Sequence, residues 1–280
     1  MGYFFRLCVV SGVLALCAAQ TAWSFQLSVF DVGQGEALWV RWGKECVWID
    51  FGTKFAANVR TNLFLLEHKK CGSSWFMVSH RDWDHSGGLF SLHSILGITR
   101  VVMPLEMGAQ PGKVWKENRF SELKVALRHS LPEALVSKID WLWPIPGQAI
   151  QNENDTSLVL RIWDNERNHC AILTGDITQR VETQLIRSSL WIRCDVLKIA
   201  HHGSRTSTSE NFLRAVDPRI ALISSGWKNR YGHPHGEVLQ RLKASHTWVF
   251  RTDWMGRIDL DVKEAEVDVA TVRGNIRIAL

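Results

Sequence analysis

The segment from residue 79 to residue 88, SHRDWDHSGG, constrains this chain more than any other. It places two imidazoles and two carboxylates within six positions, directly after an apolar run that predicts a strand. Imidazole nitrogen and carboxylate oxygen are ligands of zinc, manganese or iron(II). The alternative, a polar turn with a side chain that caps a helix, requires only one such side chain rather than four. The pattern therefore favours a metal site built from His80, Asp82, Asp84 and His85.

Three further polar clusters also follow apolar runs. Asp176 comes just after the run 170–174, and the pair His201-His202 with Ser204 comes after the run 196–200. The segment 225–234 follows the run 220–224 and offers hydroxyl, amide and imidazole groups. Polar groups at the ends of four strands are what a metal site on the rim of a sheet sandwich requires. Asp176 and the segment 225–234, each taken alone, are also compatible with an ordinary turn, whereas a histidine pair at a strand end favours a functional site.

Short apolar strands alternate with helices in two halves of similar make-up. Strands are predicted at 26–32, 37–42, 46–50, 75–79, 157–163, 170–174, 196–200, 220–224, 248–251 and 258–262, and helices at 58–69, 88–96, 179–188, 210–216 and 237–243. The region 104–147 predicts little beyond a helix near 118–129. With no visible linker, the pattern indicates one α/β domain over residues 25–280, in which two sheets pack face to face with helices outside.

The first 24 residues are predicted to be a signal peptide. One basic residue, Arg6, precedes the apolar run 7–19, and small residues lead to a cleavage site near Ser24. The run is shorter than the ~20 residues of a membrane-spanning helix, although an uncleaved anchor stays open as an alternative. We therefore expect a periplasmic or secreted protein.

Four cysteines remain after the predicted leader, at positions 46, 71, 170 and 194. An oxidising compartment permits them to form disulfides. None of them shows the spacing of a zinc site, and the sequence leaves all three pairings open.

Composition adds weaker constraints. The chain is 46% hydrophobic and 22% charged, which argues against disorder. Its net charge of +5 is mild and scattered, so it favours an anionic substrate without requiring one. We interpret most of the fourteen tryptophans as core or edge-strand residues, because aromatic side chains are enriched in strands.

The motifs taken together resemble the metallo-β-lactamase superfamily. They are HxDxDH, the LTGD that ends at Asp176, the HHGS from residue 201 and the segment from Ser225 to Pro234. More narrowly, the chain resembles the hydrolase domain of ComEC, the DNA-uptake channel protein of competent bacteria. Residues 30–36, 49–52 and 251–256 match the first and last strands of that domain. The resemblance implies an αββα sandwich of two mixed β-sheets with outer helices.

The resemblance also implies a ligand set for one or two divalent metal ions, zinc or manganese. His80 and Asp82 would bind one ion, Asp84 and His85 would bind the other, and Asp176 would bridge them. Either His201 or His202 would complete the second site. Asp155 falls near the place where many relatives carry a further histidine ligand. Glu36 stands where the family usually has aspartate, and no membrane channel is present in this sequence.

The function implied is hydrolysis by a metal-activated water, with phosphodiesters such as DNA or another nucleic acid as substrates. Catalytic roles are expected for Asp84, His202 and His233, and substrate contacts for Ser204, Ser225, Asn229 and His233. No obligate protein partner and no integral membrane channel are inferred. The alternatives are a hydrolase of choline-phosphate esters, lactones, thioesters or lactams, and a non-catalytic protein that binds nucleic acid or wall polymer. Non-catalytic members usually lose metal ligands, whereas this chain retains them.

Overall fold

The computed structural model describes residues 25–92, 94–98, 101–102, 131–144, 150–188 and 191–280. Within these residues the chain forms two β-sheets that pack face to face. The predicted signal peptide over 1–24 and the predicted helix near 118–129 lie outside the described residues, so both stay predictions.

The first sheet has eight strands in the order β14-β13-β12-β1-β2-β3-β4-β5. Their bounds are Phe25–Val29 (β1), Leu38–Trp42 (β2), Glu45–Ile49 (β3), Ser73–Met77 (β4), Val101–Val102 (β5), Ile258–Val262 (β12), Glu266–Thr271 (β13) and Gly274–Ala279 (β14). Strands β3, β4 and β5 run parallel, and the other neighbours are antiparallel. The carboxyl ends of β3 and β4 therefore meet at one edge.

The second sheet has six strands in the order β11-β10-β9-β8-β7-β6. Their bounds are Ile139–Trp143 (β6), Val159–Trp163 (β7), Cys170–Leu173 (β8), Val196–Lys198 (β9), Ile220–Ile223 (β10) and Trp248–Arg251 (β11). Strands β8 to β11 are parallel neighbours, and β6 and β7 are antiparallel. Both sheets are thus mixed, as the sequence predicts.

Helices cover the outer faces. Their bounds are Lys54–His68 (α1), Trp83–Ser86 (α2), Leu89–Leu92 (α3), Glu133–Val136 (α4), Gln179–Arg187 (α5), Glu210–Val216 (α6), Gly236–Ala244 (α7) and Thr252–Met255 (α8). The hydroxyl of Thr53 caps α1 by accepting a hydrogen bond from the backbone of Ala56. The apolar face of α1 buries Ala57 and Phe64 against the first sheet. Helices α5, α6 and α7 pack in the same way on the second sheet.

The largest core cluster lies between the two sheets. Strand β1 contributes Leu27 and β12 contributes Leu260, while β7 contributes Leu160 and β10 contributes Leu222, all at most 1% exposed. Alternate residues of each strand point to this layer, and the others point to the outer helices. Burial of these side chains stabilises the sandwich by roughly 1.5–3 kcal/mol each. The predicted αββα architecture is confirmed.

Two disulfides fix the outer layers. Cys46 of β3 pairs with Cys71 just beyond α1, and Cys170 of β8 pairs with Cys194 just before β9. Their Cα atoms are 5.8 Å and 5.1 Å apart, within the range of natural disulfides. The structure thus shows which of the three possible cysteine pairings is formed.

None of the helices in the described part of the chain has the length and apolar character of a membrane span.

Candidate metal centre

The predicted site residues meet at one rim of the sandwich. The loop 79–88 leaves β4, Asp176 follows β8, the pair His201-His202 follows β9, and residues 224–226 follow β10. Parallel strands bring their carboxyl ends to the same edge, so segments far apart in sequence become neighbours. The backbone N–H of Leu158 donates to the carbonyl oxygen of Ser79 at 3.0 Å, which joins the two sheets at this rim.

Glycines allow the loops around the site to approach closely. A Cβ atom on Gly35 would lie 2.5 Å from the carbonyl oxygen of Asp84, and one on Gly88 would lie 2.1 Å from that of Phe51. At the first contact the N–H of Glu36 donates to the carbonyl oxygen of Asp84 at 2.9 Å. Side chains at Gly35 or Gly88 would push the metal loop away from the sheet edge.

Two of the histidines are oriented by one buried carboxylate. Asp50 lies just after β3, and its Oδ2 is 2.7 Å from Nδ1 of His85 and 2.7 Å from the hydroxyl of Ser79. Since Ser79 donates its proton to Asp50, its oxygen can accept from Nδ1 of His80 at 3.0 Å. Each imidazole therefore uses Nδ1 as a donor and presents Nε2 to the site, the arrangement typical of metal-bound histidine.

Of the predicted pair, His202 points into the site. Its Nδ1 donates to the carbonyl oxygen of Ser224 at 2.9 Å, which again leaves Nε2 facing the site. Both histidines adopt left-handed backbone angles, with φ of 52° for His201 and 54° for His202. Such angles are uncommon outside glycine and concentrate at functional sites. His202 is buried, whereas the side chain of His201 remains 25% exposed and its Nε2 is 3.9 Å from Asp176.

The inward nitrogens and the carboxylates converge around Asp176. Nε2 of His85 lies 3.2 Å from Oδ1 of Asp176, and Nε2 of His202 lies 3.4 Å from its Oδ2. Nε2 of His202 is also 3.3 Å from Oδ2 of Asp84 and 3.3 Å from Nε2 of His85. Two imidazole nitrogens whose other nitrogen carries the proton do not attract each other directly. They need a shared cation or an added proton between them.

His80 and Asp82 form the other half of the cluster. Nε2 of His80 lies 3.4 Å from Oδ2 of Asp82, and the ligand atoms of His80, His85 and Asp176 lie within 4.8 Å of one another. Nε2 of His80 and Oδ1 of Asp176 have no hydrogen-bond partner among the described residues, although both are buried. Buried polar atoms without partners are costly. A divalent cation between these atoms fits them, and the donor set of imidazole nitrogen and carboxylate oxygen suits zinc or manganese.

The charges at the site favour a cation. Burial alone would raise the pKa of the Asp84 carboxyl, but the His202 and His85 imidazoles outweigh burial and lower that pKa to about 2. Burial would also raise the pKa of Asp176, yet the same two histidines bring it well below its usual range. Burial alone would lower the pKa of His85, but the Asp176 and Asp50 carboxylates outweigh burial and raise that pKa. The carboxylates are therefore anionic at neutral pH, and in the absence of a metal His85 holds a proton.

Access to the cluster is from the side of the two loop carboxylates. The side chain of Asp82 is 44% exposed and that of Asp84 is 31% exposed, while His80, His85 and His202 are buried. A ligand would therefore reach the cluster past the two aspartates. This is an open site of the kind found in metallohydrolases rather than the closed site of a structural zinc ion.

His233 lies beside the cluster. Its ring is stacked at 6.3 Å from that of His202 and lies 5.6 Å from that of His201. Burial, together with the charges of His202 and His201, lowers the pKa of His233 to about 4. His233 is therefore neutral at pH 7, which suits a hydrogen-bond donor to a substrate oxygen better than an imidazolium acid.

The other predicted substrate residues lie around His233 but face the protein. The Asn229 amide donates to the carbonyl oxygens of Gly226 and His233 at 2.9 and 2.5 Å, and its Oδ1 accepts from the backbone N–H of His233 at 3.0 Å. Ser225 is fully buried, and the Ser204 hydroxyl is 3.0 Å from that of Thr206. This geometry favours support of the loop by Asn229 and Ser204, whereas the buried hydroxyl of Ser225 has no hydrogen-bond partner among the described residues. Contact of the three with a substrate stays a prediction.

Asp155 does not join the cluster. Its Oδ1 accepts from the hydroxyl of Thr178 at 2.6 Å, and its Oδ2 lies 3.5 Å from the Arg180 guanidinium. Asp155 therefore supports the start of α5. Its neighbour Asn154 faces the rim instead, with the amide nitrogen 3.3 Å from Nδ1 of His201.

Sequence reasoning assigned no role to three residues at the centre. Asp50 orients His85, and Glu36 and Lys198 form a buried ion pair next to Asp176. Asp50 and Glu36 lie within the segments that carry the resemblance, and Lys198 ends the apolar strand before His201. A charged residue at the end of an otherwise apolar strand is the signal that could have revealed Lys198.

No family model matches this chain. Among curated proteins it is similar to ComE operon protein 3 of Bacillus subtilis, with 33% identity over 192 residues, which are 67% of this chain and 24% of that protein. It is also similar to competence protein ComA of Neisseria gonorrhoeae, with 27% identity over 254 residues, 88% of this chain and 34% of that protein. The chain resembles bacterial competence proteins. It spans only a quarter to a third of the length of these relatives.

Matching solved structures include the metallo-β-lactamase fold protein YhfI of Bacillus subtilis, at 13% identity and a TM-score of 0.48, covering 88% of this chain and all of that one. A diphosphatase of the PhnP family matches at 14% identity and a TM-score of 0.47, covering 85% of this chain and 98% of that one. Human tRNase Z, short form, matches at 13% identity and a TM-score of 0.41, covering 80% and 95% of the two chains.

Proposed function

We propose that this chain is an exported metal-dependent phosphodiesterase that acts on nucleic acid. The observation that carries the proposal is the convergence of three imidazole Nε2 atoms, from His80, His85 and His202, on the carboxylates of Asp84 and Asp176 in a site that is open to solvent. Nitrogen and oxygen donors with an open face are typical of hydrolytic metal centres.

The two halves of the cluster fit two cations. His80 and Asp82 would hold one, Asp84, His85 and His202 would hold the other, and Asp176 would be shared between them. Divalent cations, when bound, supply a water of lowered pKa and neutralise the charge that develops on a phosphate. Asp50 fixes the ring of His85, and the Ser224 carbonyl fixes that of His202, so the ligands are held before a cation arrives.

The chain's own polar groups beside the cluster suit a phosphate ester. His201 and His233 lie next to each other on the exposed side of His202, and His233 is neutral at pH 7. Each can donate an N–H to a non-bridging phosphate oxygen and so orient the ester toward Asp84. Burial lowers the pKa of His201 as well, so its imidazole also suits a hydrogen-bond donor better than an imidazolium acid.

Exposed aromatic rings near the site favour a nucleic acid over a small ester or lactam. Trp83 belongs to the metal loop and is 67% exposed, and Trp227 follows β10 and is 65% exposed. The Tyr231 ring stacks at 5.6 Å on that of His233. Bases stack on such rings with little dependence on sequence. The competence proteins that this chain resembles are consistent with this substrate class.

Export is supported by the chemistry of the cysteines. All four cysteines of the described residues are paired in disulfides, which persist in oxidising compartments and are rare in the cytosol. Cell fractionation together with N-terminal sequencing of the recovered protein tests this part of the proposal. A chain that starts near residue 25 in the periplasm or medium supports export, and a full-length chain in the cytosol contradicts it.

The activity is tested with linear DNA and RNA, each single- and double-stranded, incubated with the purified protein. Each is assayed with Mn²⁺, with Zn²⁺ and with chelator, beside an Asp84→Asn variant. Metal-dependent cleavage that the variant loses supports a nuclease. Metal binding without cleavage of any of these substrates, while a small phosphodiester is hydrolysed, would replace nucleic acid by a smaller ester.

A further inference from the structure

A buried lysine lies against the innermost side of the metal centre. Lys198 is the last residue of β9 and is fully buried. Its ammonium forms an ion pair with the Glu36 carboxylate, donates to the carbonyl oxygen of Gly175 at 3.2 Å and lies 4.0 Å from Oδ1 of Asp176. Burial lowers the pKa of Lys198, so its charge depends on the Glu36 carboxylate beside it, and this ion pair lies next to the carboxylate that both halves of the cluster share.

Glu36 lies close enough to the cluster to act as a ligand itself. Its carboxylate groups with Asp176 and His202, and also with Asp50 and His85, with ligand atoms within 4.8 Å of one another in each group. Glu36 is 1% exposed, and beyond the ion pair neither of its oxygens has a hydrogen-bond partner among the described residues. A buried carboxylate of this kind requires a cation. Lys198 and a metal ion are the two cations within its reach.

We propose that Lys198 retains Glu36 as its counter-ion and so keeps that carboxylate out of the metal ligand set. The inference rests on the metal centre of the proposed function and deepens it. Lys198 is a positioning residue, because it contacts the candidate ligand Asp176 and its own counter-ion Glu36 rather than a substrate. An ammonium repels a divalent cation, so the ion pair sets the inner boundary of the centre.

The charge of Lys198 is expected to set the metal affinity, which a purely structural lysine would not do. Replacing Lys198 by methionine removes a positive charge close to the cations and releases Glu36 toward them. Metal affinity is therefore expected to rise by at least about tenfold, because like charges repel each other strongly in a protein interior. Glu36→Gln leaves the ammonium uncompensated and is expected to lower the affinity by at least about tenfold. The double variant restores the charge balance and is expected to return close to the wild-type affinity.

The experiment compares the full chain with the Lys198→Met, Glu36→Gln and double variants. Mn²⁺ affinity and stoichiometry are measured by competition with a fluorescent chelator, and the melting temperature is measured with and without Mn²⁺. Tighter binding by Lys198→Met, weaker binding by Glu36→Gln and recovery in the double variant support the proposal. Unchanged or weaker binding by a folded Lys198→Met overturns it.

Lys198→Met leaves a buried carboxylate without a partner, so this variant is expected to be less stable when metal-free. If it is unfolded without metal, recovery of its circular dichroism on addition of Mn²⁺ supports the proposal. If Lys198→Met does not fold in either condition, the Glu36→Gln variant decides. Wild-type metal affinity in Glu36→Gln overturns the proposal. Weakened metal affinity in Glu36→Gln that the double variant restores supports it. Absence of Mn²⁺ binding by the wild type would instead contradict the proposed function.

Discussion

Oδ2 of Asp50 lies 2.7 Å from Nδ1 of His85, and the same carboxylate accepts the backbone N–H of Ser79 at 2.7 Å. The buried side chain of Asp50 therefore fixes both Ser79 at the start of the loop 79–88 and the ring of His85 towards the end of that loop. This contact makes Nε2 of His85 the only atom of that ring that is free to bind a cation.

We expect Asp50→Asn to weaken metal binding by roughly 10–100-fold while the fold is kept, because loss of a carboxylate behind a ligand histidine has effects of this size. Asparagine tolerates the left-handed backbone of this position, where φ is 60°. Titration of the metal-free protein with Zn²⁺ measures the change. Asp164→Asn at the opposite edge of the second sheet is the matched control, and equal affinities of the two variants would contradict the role of Asp50.

The assignment of His202 rather than His201 as the ligand is tested by replacing each with alanine. His202→Ala is expected to lower metal affinity by at least roughly a hundredfold, since it removes an inward Nε2 from an open site with few ligands. His201→Ala is expected to keep the affinity and to reduce turnover instead. Metal titration and hydrolysis rates measured on both variants separate the two effects. Loss of metal by His201→Ala alone would reverse the assignment.

Metal affinity is expected to rise with pH above about 6.5. The pKa of His85 is raised well above its ordinary value by Asp176 and Asp50, despite burial, so the metal-free protein holds a proton at the nitrogen that the metal would take. A cation must displace this proton, so affinity increases up to about tenfold per pH unit until the raised pKa is passed. Calorimetric titration in buffers of different ionisation enthalpy measures the proton release. Binding that neither varies with pH nor releases a proton would exclude this competition.

Removal of a disulfide is expected to destabilise the fold without touching the site. Cys46 and Cys71 close a loop of 25 residues, and loss of this link by a double serine substitution should cost about 3 kcal/mol of unfolding free energy. Urea unfolding measures the difference. A variant in which the four disulfide-bonded cysteines are replaced should unfold identically with and without a reducing agent, whereas the wild type should be less stable in the reducing agent. An equal response of the two proteins would contradict the pairing.

Much of the site could be predicted because its ligands lie at strand ends, where short sequence patterns are informative. The loop from His80 to His85 and Asp176 needed only local patterns. The sequence did not show which of His201 and His202 points into the site. Their orientation depends on the left-handed backbone of both residues and on a hydrogen bond from His202 to the carbonyl oxygen of Ser224, 22 residues away in the sequence. Glu36 and Lys198 are 162 residues apart in the sequence, and no local sequence pattern predicts a contact over such a separation.

The fold was predicted less completely at its edges. The sequence pattern did not predict the hairpin of β13 and β14, although Val267 and Val269 alternate with partly exposed positions in the way that a half-buried strand requires. Strand β6 lies in the region that the sequence pattern left open. Helix α1 begins at Lys54, four residues before the predicted start, because Thr53 caps it there. These differences concern outer strands and the end of a helix rather than the loops that form the candidate site.

The most direct test of the metal-dependent phosphodiesterase is hydrolysis of bis-p-nitrophenyl phosphate by the purified protein, with stoichiometric Mn²⁺ or Zn²⁺ and with excess chelator. Nitrophenol is expected to be released with metal, and its release is expected to be lost with chelator and in an Asp84→Ala variant that remains folded. Hydrolysis that persists equally in chelator and in Asp84→Ala, or no hydrolysis with any metal that binds, would contradict a metal-dependent phosphodiesterase.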